Sequence, residues 1–375
     1  MGRWREAPDE VINANLTRMG EWERNNIILT GTSPANACLI LMYVLTYRRF
    51  IRKGCIQGEF IMAFVPKKQA FNARIQAVTI GTGDRRIVIG GENVLPFYTF
   101  DAPIANKPRI AVEISDRGLE GIASDGIRDF YAGCETVADM AVRAQDMEGA
   151  SAVCLHLESA DPNGANTSVE DCVALAKSVA EAIEAPLLIM GCKNAEKDAL
   201  IFEAIAEALK GRNVLLLSAR EENYRDVGPA AVLECDQKLG AESSVDINLA
   251  KQLNVLLNQQ GISDASVCMN LGSAAAGYGF EYLASTMDRV KAAALAQNDR
   301  QLQMPIVIPV SPETWGVKES MSPEEDAPEW GPLDERGIEM EVCTASACLV
   351  SGANLVIMRH PAAVAAVARF IDSLM

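Results

Sequence analysis

One unit recurs along most of the chain: a short apolar run, a loop rich in glycine, aspartate and asparagine, and an amphipathic stretch. Apolar residues in these stretches follow the 3.6-residue period of a helix, as Val169, Cys172, Ala176 and Val179 do. Eight apolar runs are predicted as strands: 110–114, 152–157, 187–190, 214–217, 230–234, 267–270, 306–308 and 354–358. Eight strand–helix alternations favour an α/β fold of the (β/α)8 TIM barrel type, and a doubly wound sheet is the alternative.

A predicted β-hairpin precedes the barrel. Residues 75–80 and 86–89 alternate around Gly81-Thr-Gly-Asp84, which has the composition of a tight turn. We expect this hairpin to plug the closed end of the barrel. The predicted organisation is therefore an N-terminal extension at 1–61, the hairpin and its lead-in at 62–108, and the barrel at 109–375.

The first 61 residues differ from the rest in charge. They hold eight Lys/Arg against six Asp/Glu, whereas residues 62–375 carry a net charge of −18. The apolar run at 37–45 has about half of the ~20 residues that a membrane-spanning helix needs, so we predict no membrane anchor. Gln57-Gly58-Glu59 can be encoded with the ribosome-binding sequence AAGGAG. We therefore expect Met62 to be the natural start and residues 1–61 to be an artefact of start assignment.

Charge and cysteine usage exclude several functions. The whole chain has a net charge of −16 and a pI near 4.7, which argues against a nucleic-acid partner because such a partner requires a basic face. The ten cysteines form no Cys-x-x-Cys pair, so we predict neither a zinc site nor an iron–sulfur cluster in this chain. Thiols within apolar runs, such as Cys154 and Cys268, are typical of a reducing cytoplasm.

In a barrel of this type the loops that follow the strands build the functional face. These loops lie at Asp116, 161–166, 191–194, 218–224, Asp236, 270–279, 311–337 and 359–361. They are rich in amides and small residues, and the chain has two histidines, so we predict no catalytic residue and no metal site. Lys193 follows a strand as a Schiff-base lysine does, but a solvated lysine is the ordinary interpretation.

The second predicted strand places a histidine inside the barrel. Strand alternation turns Val153 and Leu155 toward the helices, and therefore turns His156 and Glu158 inward. Glu113 points inward from the first strand, so we expect a buried Glu113–His156 pair. Two interpretations stay open: the pair stabilises the barrel, or it transfers a proton.

Two loops of the functional face leave alternatives open. Gly277-Tyr-Gly279 allows either close approach of a ligand to the backbone or a tight turn before a helix near Phe280. The stretch 311–337 is too long for an ordinary connection and carries eight carboxylates. We predict a lid or a docking surface, with Trp315 and Trp330 either anchoring a partner or packing over the barrel's own rim.

Several sequence strings become specific when they are taken together and in order. They are Ile80-Gly-Thr-Gly83, Ile89-Gly-Gly-Glu-Asn-Val-Leu-Pro-Phe97, Ala160-Asp-Pro-Asn-Gly-Ala-Asn166, Glu222-Asn-Tyr224, Asp246-Ile-Asn248 with Lys251-Gln-Leu-Asn254, Gly277-Tyr-Gly-Phe-Glu-Tyr282 and Met358-Arg-His-Pro361. From about Met62 to Met375 the chain thereby resembles the small (delta) subunit of the corrinoid iron–sulfur protein in the acetyl-CoA decarbonylase/synthase pathway.

This resemblance implies a non-catalytic subunit of a methyl carrier. In the family, the barrel pairs with a larger subunit that carries a [4Fe–4S] cluster and a cobalamin-binding domain, and the cobalamin lies between that domain and the barrel. A methyltransferase delivers the methyl group from methyltetrahydrofolate or a related methylpterin, and CO dehydrogenase/acetyl-CoA synthase receives it. The residues expected to contact the corrinoid are those of the strand-end loops: Asn163, Asn166, Asn194, Asn223, Gly277 and Gly279.

Two other interpretations remain. In the first, the chain is itself a methylpterin:corrinoid methyltransferase, because the family's barrel also resembles pterin-dependent methyltransferases. In the second, the chain is a scaffold without ligand contact. Residues 268–270 read Cys-Met-Asn where the family has an Asp-Pro pair at 269–270, which argues against a carboxylate role there. The chain contains no Asp-x-His-x-x-Gly sequence, so no histidine ligand to cobalt is predicted.

Overall fold

A hairpin and eight parallel strands organise the computed structural model, which describes residues 67–375. The hairpin pairs β1 (Ala77–Ile80) with β2 (Ile87–Gly90). The parallel strands are β3 (Arg109–Ser115), β4 (Ala152–His156), β5 (Leu187–Met190), β6 (Leu215–Ala219), β7 (Lys238–Glu242), β8 (Val267–Asn270), β9 (Val307–Pro309) and β10 (Leu355–Met358). The predicted extension at 1–61 and the predicted start at Met62 lie outside the described residues.

The parallel strands close into a barrel. Strands β3 to β8 pair in chain order, while β10 pairs with both β3 and β9. A parallel bridge between Met269 and Ile306 joins the two ends of the sheet. The predicted (β/α)8 barrel with an N-terminal hairpin is therefore confirmed.

Helices follow the strands along the chain. They are α1 (Asp125–Phe130), α2 (Val137–Gln145), α3 (Val169–Ala182), α4 (Ala195–Ala208), α5 (Tyr224–Gly228), α6 (Ile247–Gln259), α7 (Phe280–Ala296), α8 (Ser311–Thr314), α9 (Lys318–Met321), α10 (Leu333–Ser351) and α11 (Pro361–Leu374). The Ser168 side chain accepts the backbone N–H of Asp171 at the start of α3. Within residues 67–375, no helix is long and apolar enough to cross a membrane.

The fifth predicted strand is wrong. Residues 230–234 belong to a π-helical turn that continues α5, and Leu233 faces solvent. The strand is β7 instead, in which Gly240 lets the Leu217 side chain approach so closely that a Cβ there would lie 2.4 Å from it. Asp236 precedes β7, so it lies at the amino end of the strands and not on the functional face as predicted.

The hairpin plugs one end of the barrel, as predicted. Its apolar side chains, including Ile80 and Ile89, pack with the inward-facing side chains of the strands, such as Cys154. Asn213, just before β6, donates from Nδ2 to the backbone oxygens of Thr79 (2.9 Å) and Gly81 (3.0 Å). Because this end is filled, the carboxyl ends of the strands form the open face.

Candidate functional site

Two cavities open at the carboxyl ends of the strands. The small cavity has a volume of about 240 Å³ and is lined by residues that include Met190, Leu217, Ser218, Arg220, Glu242 and Asn270. The large cavity has a volume of about 830 Å³ and is lined by residues that include Asp116, Arg117, His156, Glu158, Ser159 and Cys192. Lys193 borders both cavities. The open face is therefore divided in two.

The predicted Glu113–His156 pair is present beside the large cavity. His156 Nδ1 lies 2.7 Å from Oε1 of Glu113, whose side chain is completely buried. Glu113 also receives Arg359 Nη2 at 2.9 Å and the Ser311 hydroxyl. Although burial raises the pKa of Glu113, Arg359 and the His156 hydrogen bond hold it well below its ordinary value. Glu113 is therefore an anion that accepts the Nδ1–H of His156.

Three side chains here have the right types for a metal site. Glu113, His156 and Glu158 each offer a ligand atom, and these atoms lie within 4.8 Å of one another. However, the Arg359 guanidinium already supplies the positive charge that a bound cation would bring to Glu113. The charge of Glu113 is therefore offset within the protein, which argues against a metal ion at that carboxylate.

The polar side chains of the small cavity pair with one another. Arg220 Nη2 lies 2.9 Å from Oε1 of Glu242, and Asn270 donates from Nδ2 to the Ser218 hydroxyl at 2.8 Å. Asp198 accepts the backbone N–H of Cys192 at 2.8 Å, and burial raises the pKa of this carboxyl. The cavity wall is therefore a rigid set of donors and acceptors.

Lys193 is fixed between the two cavities. Its backbone has a φ of 68°, its carbonyl accepts Arg220 Nη1 at 2.8 Å, and its ammonium lies 3.1 Å from Oε1 of Glu313. The Lys193 side chain is 57% exposed. An exposed, ion-paired ammonium agrees with a solvated lysine and not with a Schiff-base residue.

Two of the asparagines predicted to bind the cofactor have their side chains occupied by the backbone. Asn194 caps α4, where its Oδ1 accepts the N–H of Lys197 at 3.0 Å. The buried Asn223 accepts the N–H of Arg220 and donates to the carbonyl of Ala195. Both residues shape the loops of the open face instead of projecting from them.

The other two asparagines are exposed at the rim of the large cavity, on either side of its lining residue Gly164. Asn163 donates to Asp161, and Asn166 accepts from the Lys197 ammonium at 3.2 Å. Both are single, solvent-facing contacts. The structure therefore leaves these two side chains accessible at the rim.

The predicted glycines form the turn before α7. Gly277 and Gly279 have φ angles of +89° and +83°, which favour glycine, and Gly279 is the N-cap of α7. Tyr278, between them, donates its hydroxyl to Oε2 of Glu319 at 2.5 Å. A Cβ at Gly277 would meet no atom within 4 Å. The turn explains both glycines, and contact with a ligand remains a prediction.

The two tryptophans of the stretch 311–337 behave differently. Trp315 is buried, stacks on His360 with ring centroids 5.7 Å apart, and packs against Gly337. Trp330 is 38% exposed, and Lys318 and Arg336 lie over its ring. The first therefore packs on the barrel's own rim, whereas the second faces solvent.

The sequence did not indicate the importance of Glu341. This fully buried carboxyl accepts the backbone N–H groups of Arg359 (2.6 Å) and His360 (3.0 Å), and burial raises its pKa to about 7. It shares one face of α10 with Thr344, Ala345 and Cys348. A single carboxylate within such a stripe is the signal that could have identified it.

Comparisons with known proteins identify the family. A family model described as "CO dehydrogenase/acetyl-CoA synthase delta subunit" matches residues 77–365. The "acetyl-CoA decarbonylase/synthase complex subunit delta" of Archaeoglobus fulgidus is 32% identical over 85% of this chain and 73% of its own length. The subunit "delta 1" of Methanosarcina thermophila is 30% identical over 86% of this chain and 75% of its own length.

Solved structures agree on the fold. A dihydropteroate synthase from Xanthomonas albilineans, solved with 4-aminobenzoic acid, has a TM-score of 0.51 and 15% identity over 80% of this chain and 98% of its own. The dihydropteroate synthase from Vibrio fischeri has a TM-score of 0.51 and 10% identity, over 79% of this chain and 98% of its own. At such identities the likeness shows a barrel and nothing more. By the family match and these relatives, the chain belongs to the CO dehydrogenase/acetyl-CoA synthase delta subunit family.

Proposed function

We propose that this chain is the barrel subunit of a cytoplasmic methyl carrier and is not an enzyme by itself. The family match over residues 77–365 is the observation that carries the proposal. The relatives are named as delta subunits of the acetyl-CoA decarbonylase/synthase complex. On this proposal, the chain pairs with a larger subunit that holds a [4Fe–4S] cluster and a corrinoid, and its open face covers one side of that corrinoid.

The open face suits a corrinoid. The two cavities, both bordered by Lys193, offer amide and carboxylate groups, which are the partners that the amide fringe of a corrin ring requires. Asn163 and Asn166 would contact it from the rim, and Gly277 and Gly279 through the backbone. Asn194 and Asn223 would act through the loops that they hold, since their own hydrogen bonds are occupied.

The chemistry of the described residues supports a role as a carrier subunit. Bound cobalamin supplies the cobalt that accepts and releases a methyl group, which a methyltransferase takes from methyltetrahydrofolate and acetyl-CoA synthase receives. Among residues 67–375, burial raises the pKa of each thiol whose pKa is shifted. For Cys192, burial raises the pKa to about 12. Such thiols are poor nucleophiles, which agrees with a part for this chain in binding, orienting and shielding.

Co-expression with the large subunit tests the proposal. The two chains should co-purify, and the visible absorption of the pair should correspond to about one corrinoid per heterodimer. The matched control is the large subunit expressed alone. A large subunit that neither binds this chain nor gains corrinoid from its presence would overturn the proposal.

The small cavity favours a second candidate function, that of a methylpterin:corrinoid methyltransferase. Its volume of about 240 Å³ is of the size of a single heterocycle, and its lining includes the polar residues Ser218, Asn270 and Asp198. The purified chain would then form methylcobalamin from methyltetrahydrofolate and free Co(I) cobalamin. A rate no higher than that of the protein-free control would count against this second function.

A further inference from the structure

The large cavity contains a histidine whose orientation is fixed from behind. Glu113 is an anion that accepts the Nδ1–H of His156, and in a neutral imidazole held this way the lone pair lies on Nε2. Glu113 itself is occupied by His156, Arg359 and Ser311, and has no side-chain surface to offer a ligand. The neutral imidazole of His156 therefore presents a hydrogen-bond acceptor at the cavity that this residue lines.

Glu158 provides a second acceptor next to this histidine. Its Oε1 lies 3.9 Å from His156 Nδ1, beyond hydrogen-bond distance, and its side chain is 35% exposed. Within residues 67–375, its carboxylate makes no hydrogen bond, whereas the neighbouring Asp116 accepts both the N–H and the hydroxyl of Ser159. Glu158 is therefore a carboxylate that is available to a donor.

The cations around the large cavity are already paired. Arg117 lies 2.6 Å from Glu120, and the Lys193 ammonium lies 3.1 Å from Glu313. A ligand that brings a negative charge to this corner would meet Glu158, and the two cations that line the cavity among the described residues already have carboxylate partners. A ligand that brings neutral N–H groups would instead satisfy two waiting acceptors.

We propose that His156 and Glu158 form a receptor for amide N–H donors, and that it holds one propionamide arm of the corrin ring. This inference rests on the proposed function, because it names a contact through which this subunit would bind the shared corrinoid. Glu113 is the positioning residue, since it fixes which ring nitrogen of His156 faces the ligand. Because His156 and Glu158 both accept hydrogen bonds, the receptor should bind an amide, which donates, more tightly than the matching carboxylate, which cannot.

Cobalamins in which one propionamide is hydrolysed to a carboxylate test the receptor. Affinity for the heterodimer is measured by absorption titration with intact cobalamin and with the b-, d- and e-monocarboxylic acids. One monoacid should bind at least about tenfold more weakly than intact cobalamin, and Glu158→Gln should remove most of that deficit because a glutamine amide can donate to the acid. Equal binding of all three monoacids, or a deficit that Glu158→Gln leaves unchanged, would overturn the inference.

Further variants separate binding from folding. Glu196→Gln is the matched control, because this exposed carboxylate lines neither cavity and pairs with no cation among the described residues, and it should leave the deficit in place. His156→Gln, which retains an acceptor, should keep more affinity for intact cobalamin than His156→Leu at similar melting temperatures. Equal losses in these two variants would contradict the role of Nε2. If the wild-type pair fails to retain intact cobalamin, the proposed function itself fails.

Discussion

The guanidinium Nη2 of Arg359 lies 2.9 Å from Oε1 of Glu113, a carboxylate whose side chain has no exposed surface. This contact links the loop after β10 to β3, and the same carboxylate holds His156 on β4 and Ser311 at the start of α8. Four segments that are distant in sequence thus meet at one anion. The geometry of the open face depends on that anion being present.

Removal of this charge should be costly. Glu113→Gln leaves the buried Arg359 guanidinium without its counter-charge, and we expect a loss of about 3–5 kcal/mol in the free energy of unfolding. Glu120→Gln removes one side of an exposed ion pair and should cost less than about 1 kcal/mol. Urea titrations at pH 7 measure both, and equal small losses would contradict the structural role of Glu113.

The pH dependence of this contact has a defined sign. The pKa of Glu113 is lowered by Arg359 and His156 from an ordinary value of 4.5, despite burial, so the folded state releases its proton more readily than the unfolded state. Its contribution is present above pH 4.5 and is lost as the pH falls below that value. The stability difference between wild type and Glu113→Gln should therefore shrink between pH 5 and the acid limit of folding. A difference in the free energy of unfolding that stays constant over this pH range would contradict the lowered pKa of Glu113.

Glu341 should show the opposite dependence. Burial raises its pKa from 4.5 to about 7, so the folded protein binds a proton that the unfolded chain has lost in this interval. The resulting stabilisation is fully present below pH 4.5 and is lost as the pH rises through about 7. Relative to Glu341→Gln, which does not titrate, wild type should lose about 2–3 kcal/mol between pH 5 and pH 8. Urea titrations across this range would refute the assignment if the difference stays constant.

The plug of the barrel depends on Asn213. Asn213→Ala removes two hydrogen bonds to hairpin carbonyls and should cost about 1–3 kcal/mol. The exposed Asn248 is a matched control, for which we expect a change within about 0.5 kcal/mol. Thermal unfolding of the two variants measures the contrast. Similar melting temperatures would mean that the hairpin does not rely on this side chain.

Asn163 and Asn194 should respond differently to substitution. Asn194→Ala removes a helix cap and should cost about 1 kcal/mol of stability, which Asn194→Ser should restore. Asn163→Ala should leave stability within about 0.5 kcal/mol while it weakens corrinoid retention by the heterodimer. Unchanged retention in Asn163→Ala would exclude this side chain from the contact.

Most of the fold followed from the sequence because seven strands are apolar runs of ordinary length. The exception shows the limit of that reasoning. Residues 230–234 look like a buried strand, yet they follow Pro229 and continue a helix, whereas β7 has Lys238 and Glu242 at its ends and glycine at its centre. The buried centre of β7, where Leu217 packs closely against Gly240, is apparent only in the structure.

The candidate site was less predictable for a similar reason. Strand alternation predicted that Glu113 and His156 would both point into the barrel from neighbouring strands. The register pairs Glu113 with Cys154, so its contact with His156 is diagonal. The contact of Arg359 with Glu113 joins residues 246 positions apart, and no local pattern signals it. Likewise, composition marked Asn194 and Asn223 as polar loop residues but did not show that the backbone already occupies them.

Corrinoid retention by the large subunit, with and without this chain, tests the central claim most directly. Equilibrium dialysis against cobalamin, followed by visible absorption, gives the two dissociation constants under the same conditions. We predict that the heterodimer binds at least about tenfold more tightly than the large subunit alone. Equal dissociation constants for the two preparations would contradict the account.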